Sequence, residues 1–130
     1  MEKKEIRSKK APAAGGPYSQ AIKVGESVYV SGQLPINAET GKMAVEIENQ
    51  TRQALYNLCE ILSTENLSAE NVVKCTIFLK NIDDFSAVNQ IYATFFRAPC
   101  PARSCVEVSA LPKGALIEID AIATVNCHVE

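Results

Sequence analysis

The sequence predicts an α+β fold of two layers, a mixed β-sheet carrying two helices on one face, in a single domain over residues 1–130. Three observations predict it. Apolar residues alternate at period two in "SVYVSGQLP", "VVKCTIFLKNI" and "ALIEIDAIATVNC". Two intervening stretches switch to the helical period. The element order is strand-strand-helix-strand and then helix-strand-strand, with no linker between the halves, so each half offers one amphipathic helix to a common sheet.

The charged start "MEKKEIRSKK" places Lys3, Lys4, Arg7, Lys9 and Lys10 together, interrupted by Glu2 and Glu5, and reads as a solvated strand end. "APAAGGPYSQ" is a loop that positions Tyr18. "AIKVG" and "SVYVSGQLP" are two strands across a tight turn at Gly25-Glu26. Gly32 removes a side chain from the second strand, which marks close approach by another group. Pro35 ends that strand, and "NAETGK" is a turn. From Glu46 to about Thr64, Ile47, Thr51, Ala54, Leu55, Leu58, Ile61 and Leu62 form an apolar stripe. Glu48, Arg52, Gln53, Asn57 and Glu60 take the outer face. Asn66 supplies a left-handed stop, and Ser68 caps a short turn through Asn71.

In the next strand Cys75, Ile77 and Leu79 oppose Lys74, Thr76 and Phe78. Asp83 or Asp84 is the expected cap of the second helix, whose stripe is Phe85, Val88, Tyr92, Phe95 and Phe96, with the polar Asn89 on the same side. That helix ends before Pro99. In "PARSCVEVSALP" the expectation is that Val106 and Val108 meet the helices, together with Ile117 and Ile119 of the last strand. Arg103, Cys105, Glu107, Glu118 and Asp120 then point away, on a face mixing charge, thiol and aromatic groups. Such a face suits a subunit interface, so a homo-oligomer is expected.

The formal net charge of −2 excludes a nucleic-acid binder working through a strong basic field. No apolar run reaches the length of a membrane span, and the N-terminal stretch lacks the apolar centre of a secretory signal. The 5 cysteines, with no C-x-x-C, read as reduced thiols of a cytoplasmic protein, with no disulfide frame and no zinc site. No metal-ligand spacing, P-loop or dinucleotide fingerprint is present. His128, the only histidine, stands near the terminus, which leaves no Ser-His-Asp or Cys-His mechanism.

The residues with chemistry are therefore few. Arg103 offers a planar fork matched to a carboxylate. Its partner is either Glu118 or Glu107, in a structural ion pair, or the carboxylate of a small ligand, and the strand pattern leaves both open. Glu118 is either the mate of an arginine or a proton carrier in a partly dry cleft. Cys105 reads as a small buried group lining a pocket, since nothing nearby would activate it as a nucleophile.

Four segments carry a resemblance: "GPYSQA", "VYVSGQLP", "VVKCTIFLKNIDDFSAVNQIYATFF" and "PARSCVEVSALPKGALIEIDAIA". In this order they resemble the Rid family, specifically the RidA-type (YjgF-type) enamine/imine deaminases, from about residue 11 to 125. The resemblance implies a chorismate-mutase-like α+β fold, a homotrimer with sites in clefts between subunits, and no cofactor. It implies hydrolysis of 2-imino acids such as 2-iminobutanoate and 2-iminopropionate to 2-keto acids and ammonia. It assigns Arg103 to the substrate carboxylate, Cys105 to the pocket lining and Glu118 to orienting or activating water. Tyr18 would close the cleft, Gly32 would present ligand-facing backbone, and Asn89 would form pocket wall. Cys100 stands where relatives often carry an aromatic, and Ala110 where many carry arginine. Both departures bear on cleft shape and substrate preference. A keto- or imino-acid sensor without turnover, or a ribonuclease-type translation inhibitor or holdase, are the alternative readings.

Overall fold

The computed structural model describes residues 1–127, so His128 lies outside the described residues. The chain forms β1 (Lys3–Ile6), β2 (Ala21–Val24), β3 (Ser27–Gln33), α1 (Ile47–Ser63), β4 (Val72–Leu79), α2 (Phe85–Phe95), β5 (Ala102–Glu107) and β6 (Ile117–Thr124). The strands make one six-stranded sheet in the order β1-β2-β3-β6-β4-β5. Only β4 and β5 run parallel, joined through α2; every other pairing is antiparallel. The two-layer α+β expectation is met, with both helices on one face.

The last strand takes a central place because its alternation is the cleanest. Ile117, Ile119, Ala121 and Ala123 are buried, and Glu118, Asp120, Ile122 and Thr124 are half-buried opposite them. The small Ala121 and Ala123 let α1 approach the sheet. Leu55, Leu58, Ile61 and Leu62 of α1 are fully buried against it. Helix α1 ends at the expected left-handed Asn66, with φ 60°, and the Leu67 amide donates to the Leu62 carbonyl at 3.1 Å. Ser68 caps the following short turn reciprocally with Asn71. No helix among the described residues is long and apolar enough to cross a membrane.

Three expectations are corrected. Asn57, expected on the outer face of α1, is fully buried. Its amide donates to the carbonyls of Leu34 (3.1 Å) and Ile36 (2.9 Å), and its oxygen accepts from Gln53 at 2.8 Å. The segment after β3 leaves the sheet and wraps over this side of α1. Its carbonyls, having no ladder partner, need a donor from the helix. Neither Asp83 nor Asp84 caps α2. Asn81 instead accepts from the Asp83 amide at 2.9 Å and starts a 3₁₀ turn, Ile82–Asp84, that runs straight into the helix. Asp84 is already in helical conformation there, so its side chain makes no cap.

The third correction concerns β5. Its parallel register pairs Cys75 with Arg103, Ile77 with Cys105 and Phe78 with Val106. Directly paired residues share a face. Arg103 and Cys105 therefore lie on the helix side with the buried Cys75 and Ile77. Val106 lies on the helix-free side, 43% exposed. The apolar valine was expected to seek the core. Backbone pairing with β4 decides the register, and β5 is an edge strand beyond the full cover of the helices.

Replacing Asn57 by Leu keeps the volume and orphans two buried carbonyls. The expected loss is about 1–3 kcal/mol, read as a lower urea midpoint at unchanged slope.

Candidate active site

The groups singled out in the sequence gather in two places. The first lies on the helix side of the sheet edge. The Arg103 guanidinium stands over the ring of Tyr92, its central carbon 4.8 Å from the ring centre, and over Phe85 at 5.4 Å. Tyr92 packs in turn on Phe96 at 4.6 Å between centroids. Arg103 is half-buried, yet among the described residues it forms no ion pair with a carboxylate. Glu107, one of its two candidate mates, accepts the Ile82 amide at 2.9 Å. Cys105 is the next residue on this face and packs against the core. Burial pushes its thiol pKa up, against the opposing pull of the Arg103 charge. It is therefore not an activated nucleophile. Asn89 sits one turn after Phe85 on α2 and is half-buried. Arg103 and Cys105 share one strand face, and helical spacing puts Asn89 on the side of α2 that bears Phe85 and Tyr92.

The second place is a cleft of about 450 Å³ lined by Tyr18, Gln20, Gly32, Gln33, Leu34, Lys113 and Glu118 among others. A β-bulge builds it. Between Val30 and Gln33, β3 takes three steps where β6 takes two, from Ala121 to Ile119. The extra residue sets Gly32 against Glu118. A methyl group at Gly32 would lie 2.5 Å from Glu118 Oε2 and 2.7 Å from its Cδ, so only glycine leaves the carboxylate where it is. Glu118 is half-buried, and its pKa is raised, first by that burial and then by the Asp120 charge two residues on. A carboxyl whose charge is disfavoured in this way is a candidate proton carrier.

The loop bearing Tyr18 is fixed by two residues that the sequence reading passed over. Gln20 is buried; its amide donates to the carbonyls of Ser8 (3.1 Å), Ala11 (3.3 Å) and Pro12 (2.8 Å), and its oxygen accepts from the Ser8 amide at 2.6 Å. Ser31, beside Gly32, ties the same loop to the bulge: its hydroxyl donates to the Ser19 carbonyl at 2.6 Å and its amide to the Gln20 carbonyl at 2.9 Å. Tyr18 remains 56% exposed at the cleft, its hydroxyl accepting from the Gly15 amide at 3.1 Å. Lys113 enters the lining on a left-handed backbone, φ 59°. Such strain in a non-glycine residue recurs at functional sites.

The two places face opposite ways. Phe78 pairs with Val106 on one side and with Glu118 on the other. Glu118 is therefore on the helix-free face, and Arg103 is on the helix face. Arg103 and Glu118, one of the candidate structural pairs, do not meet within the chain, and among the described residues no single cleft holds both. Among the described residues, no group of three or more His, Cys, Asp or Glu side chains is placed to hold a metal ion.

The same architecture recurs in known proteins. The family model described as Endoribonuclease L-PSP matches residues 8–125. A 2-iminobutanoate/2-iminopropanoate deaminase from Escherichia coli is 45% identical over 123 residues, covering 92% of this chain and 96% of the relative. Among solved structures, a conserved Rid-family protein of unknown function from Yersinia pestis is 52% identical at a TM-score of 0.92, covering 95% of this chain and 100% of its own. The TdcF protein of E. coli, with bound serine, is 38% identical at a TM-score of 0.89, over 93% of this chain and 98% of its own. Matched in sequence and in shape over nearly its whole length, the chain belongs to the Endoribonuclease L-PSP family, which is where the Rid-type motifs pointed.

Proposed function

We propose that the protein hydrolyses 2-imino acids, among them 2-iminobutanoate and 2-iminopropanoate, to 2-keto acids and ammonia. The observation that carries this reading is the Arg103 guanidinium, half-buried on two aromatic rings and, among the described residues, paired with no carboxylate. A cation withdrawn from water needs an anion, and a 2-imino acid brings a carboxylate next to the reacting carbon. The relative from E. coli that is named for this activity supports the substrate class. So does the serine held by TdcF, which carries the same carboxylate.

The site is completed by a second copy of the chain. Tyr18, Gly32 and Glu118 come from one subunit, and Arg103, Cys105 and Asn89 from its neighbour. The helix-free sheet face supports such packing, with Tyr29 48% and Val106 43% exposed and Phe78 and Ile122 half-buried beside them. A homotrimer is the assembly that the family resemblance implies, and the unpaired cysteines point to the cytoplasm.

The chemistry asks little of these parts. Arg103 holds the carboxylate by charge-assisted hydrogen bonds. Water attacks carbon two of the protonated imine, the C=N electron pair moves to nitrogen, and Glu118 takes the proton that water gives up. Glu118 returns a proton to the nitrogen of the resulting carbinolamine. The C–N bond then breaks with its electron pair going to nitrogen, ammonia leaves, and the hydroxyl gives its proton back to the Glu118 carboxylate, and from there to solvent, as the keto group forms. Tyr18 covers the cleft, and Asn89 and Cys105 form its wall. Positioning supplies much of the acceleration.

Three outcomes test the assignment in an assay of keto-acid and ammonia release from freshly generated imine, read against a buffer blank. Arg103→Ala lowers kcat/KM by roughly 100-fold or more, the worth of two hydrogen bonds to a charged group, with the oligomer intact; full activity in this variant refutes the reading. Glu118→Gln lowers kcat by about 10²- to 10⁴-fold while 2-ketobutyrate still binds. Retained binding with wild-type kcat would instead favour a sensor whose imine decays unaided.

The raised pKa of Glu118 fixes two signs. As the base, it works deprotonated, so kcat/KM rises with pH along a limb above the ordinary carboxylate range, and that limb is absent in Glu118→Gln. In stability, the folded chain holds this proton more tightly than the unfolded chain. The contribution is complete below the unfolded value and is lost as pH rises through the folded one. Glu118→Gln therefore melts higher than wild type above that pH. Finally, Gly32→Ala leaves the circular dichroism spectrum unchanged and lowers kcat at least tenfold, because the new methyl displaces the carboxylate.

A further inference from the structure

Half-buried Arg103 raises a physical question that its partners answer. A guanidinium withdrawn from water normally recruits a carboxylate or backbone carbonyls, and either would occupy the N–H groups needed for a ligand. Here the neighbours are ring faces. Tyr92 lies 4.8 Å and Phe85 5.4 Å from the guanidinium carbon. Ring faces attract a cation through their quadrupole and accept none of its in-plane hydrogen bonds. The charge is thus held in place while, among the described residues, nothing occupies its donor edge.

The bed is itself rigid on one side and open on the other. Tyr92 is 6% exposed and is braced by Phe96. Phe85, at the first position of α2, is 39% exposed. The Tyr92 hydroxyl is buried beside the Cys75 thiol and has no hydrogen-bond partner of sound geometry. Its ring, not its hydroxyl, is what the site uses.

The geometry assigns Tyr92 and Phe85 as positioning residues that hold Arg103 unneutralised for a ligand carboxylate. They do so through the guanidinium, without contact to the reacting atoms. This rests on the reading of Arg103 given under Proposed function. It also gives Phe85 and Tyr92, two turns apart on α2, a role in affinity for the acid group, separate from the proton transfers at Glu118.

The test is a double-mutant cycle read by calorimetric binding of 2-ketobutyrate and by steady-state kinetics on the whole oligomer. Tyr92→Leu and Phe85→Leu are each expected to raise Kd and KM roughly three- to twentyfold, the range of a partly desolvated cation–π contact, with kcat within about twofold. Tyr92→Phe restores affinity to near the wild-type value, since it keeps the ring. In an Arg103→Ala background the same leucine substitutions add no further loss, because their effect runs through the guanidinium. A generic packing defect would persist in that background, and such persistence overturns the inference. So does unchanged Kd in Phe85→Leu, whose exposed position lets it fold even should Tyr92→Leu fail. If Arg103→Ala itself leaves Kd unchanged, the function reading falls and takes this inference with it. If Arg103→Ala weakens binding and the aromatic variants do not, the inference alone falls.

Discussion

The register of β4 is the constraint on which the rest depends. This strand pairs in parallel with β5 on one side and antiparallel with β6 on the other. Because side chains alternate strictly, those two ladders decide at once which residues of three strands share a face. They send Cys75, Ile77, Ile117 and Ile119 into the core. They also send Arg103 with that set, and Glu118 with Phe78 and Val106 on the other side. A slip of one residue in the β4–β6 ladder would bury Asp120 and Glu118 and expose Ile119. The hydrophobic cost of that exchange locks the register of β6 and the position of Glu118 with it, while Arg103 follows from the backbone pairing of β5 with β4.

Each of those groups is kept away from the partner that would satisfy it. Arg103 is backed by rings, and Glu107, the nearest plausible mate along its strand, is occupied by the Ile82 amide. Glu118 has Asp120 two residues away, which deepens the cost of its charge. Both arrangements work against stability. Natural proteins commonly break local rules where chemistry is done, the remainder of the fold carrying the cost. Here the remainder is a well-buried core of Leu, Ile and Val between α1 and the sheet, with buried polar clamps at Gln20 and Asn57.

Much of this was legible in the residue order. The period switch at Glu46, the alternation of "ALIEIDAIATVNC" and the stop at Asn66 gave two helices on a mixed sheet, because each is a local property of the backbone. Arg103, Cys105, Glu118 and Tyr18 were singled out as the groups with chemistry, and Gly32 was flagged by its missing side chain. What failed was long-range. The face of β5 could not be read from Val106 and Val108, since strand pairing outweighs the hydrophobicity of an edge residue. Asn57 and Gln20 read as ordinary polar positions, because their partners are carbonyls of loops whose paths the sequence does not show. Tyr92 read as core, which it is, without any sign that a guanidinium would rest on its face.

The opposite-facing placement of Arg103 and Glu118 has a consequence for solutions of the protein. Under the proposed assembly a lone chain owns each end of the reaction but never both in one cavity. Turnover per chain then obeys mass action and fades on dilution as the copies part. Mixing is the converse. Chains lacking the guanidinium, scrambled with chains lacking the carboxyl, regenerate some cavities in which both groups are native, so two dead preparations combine into a partly living one.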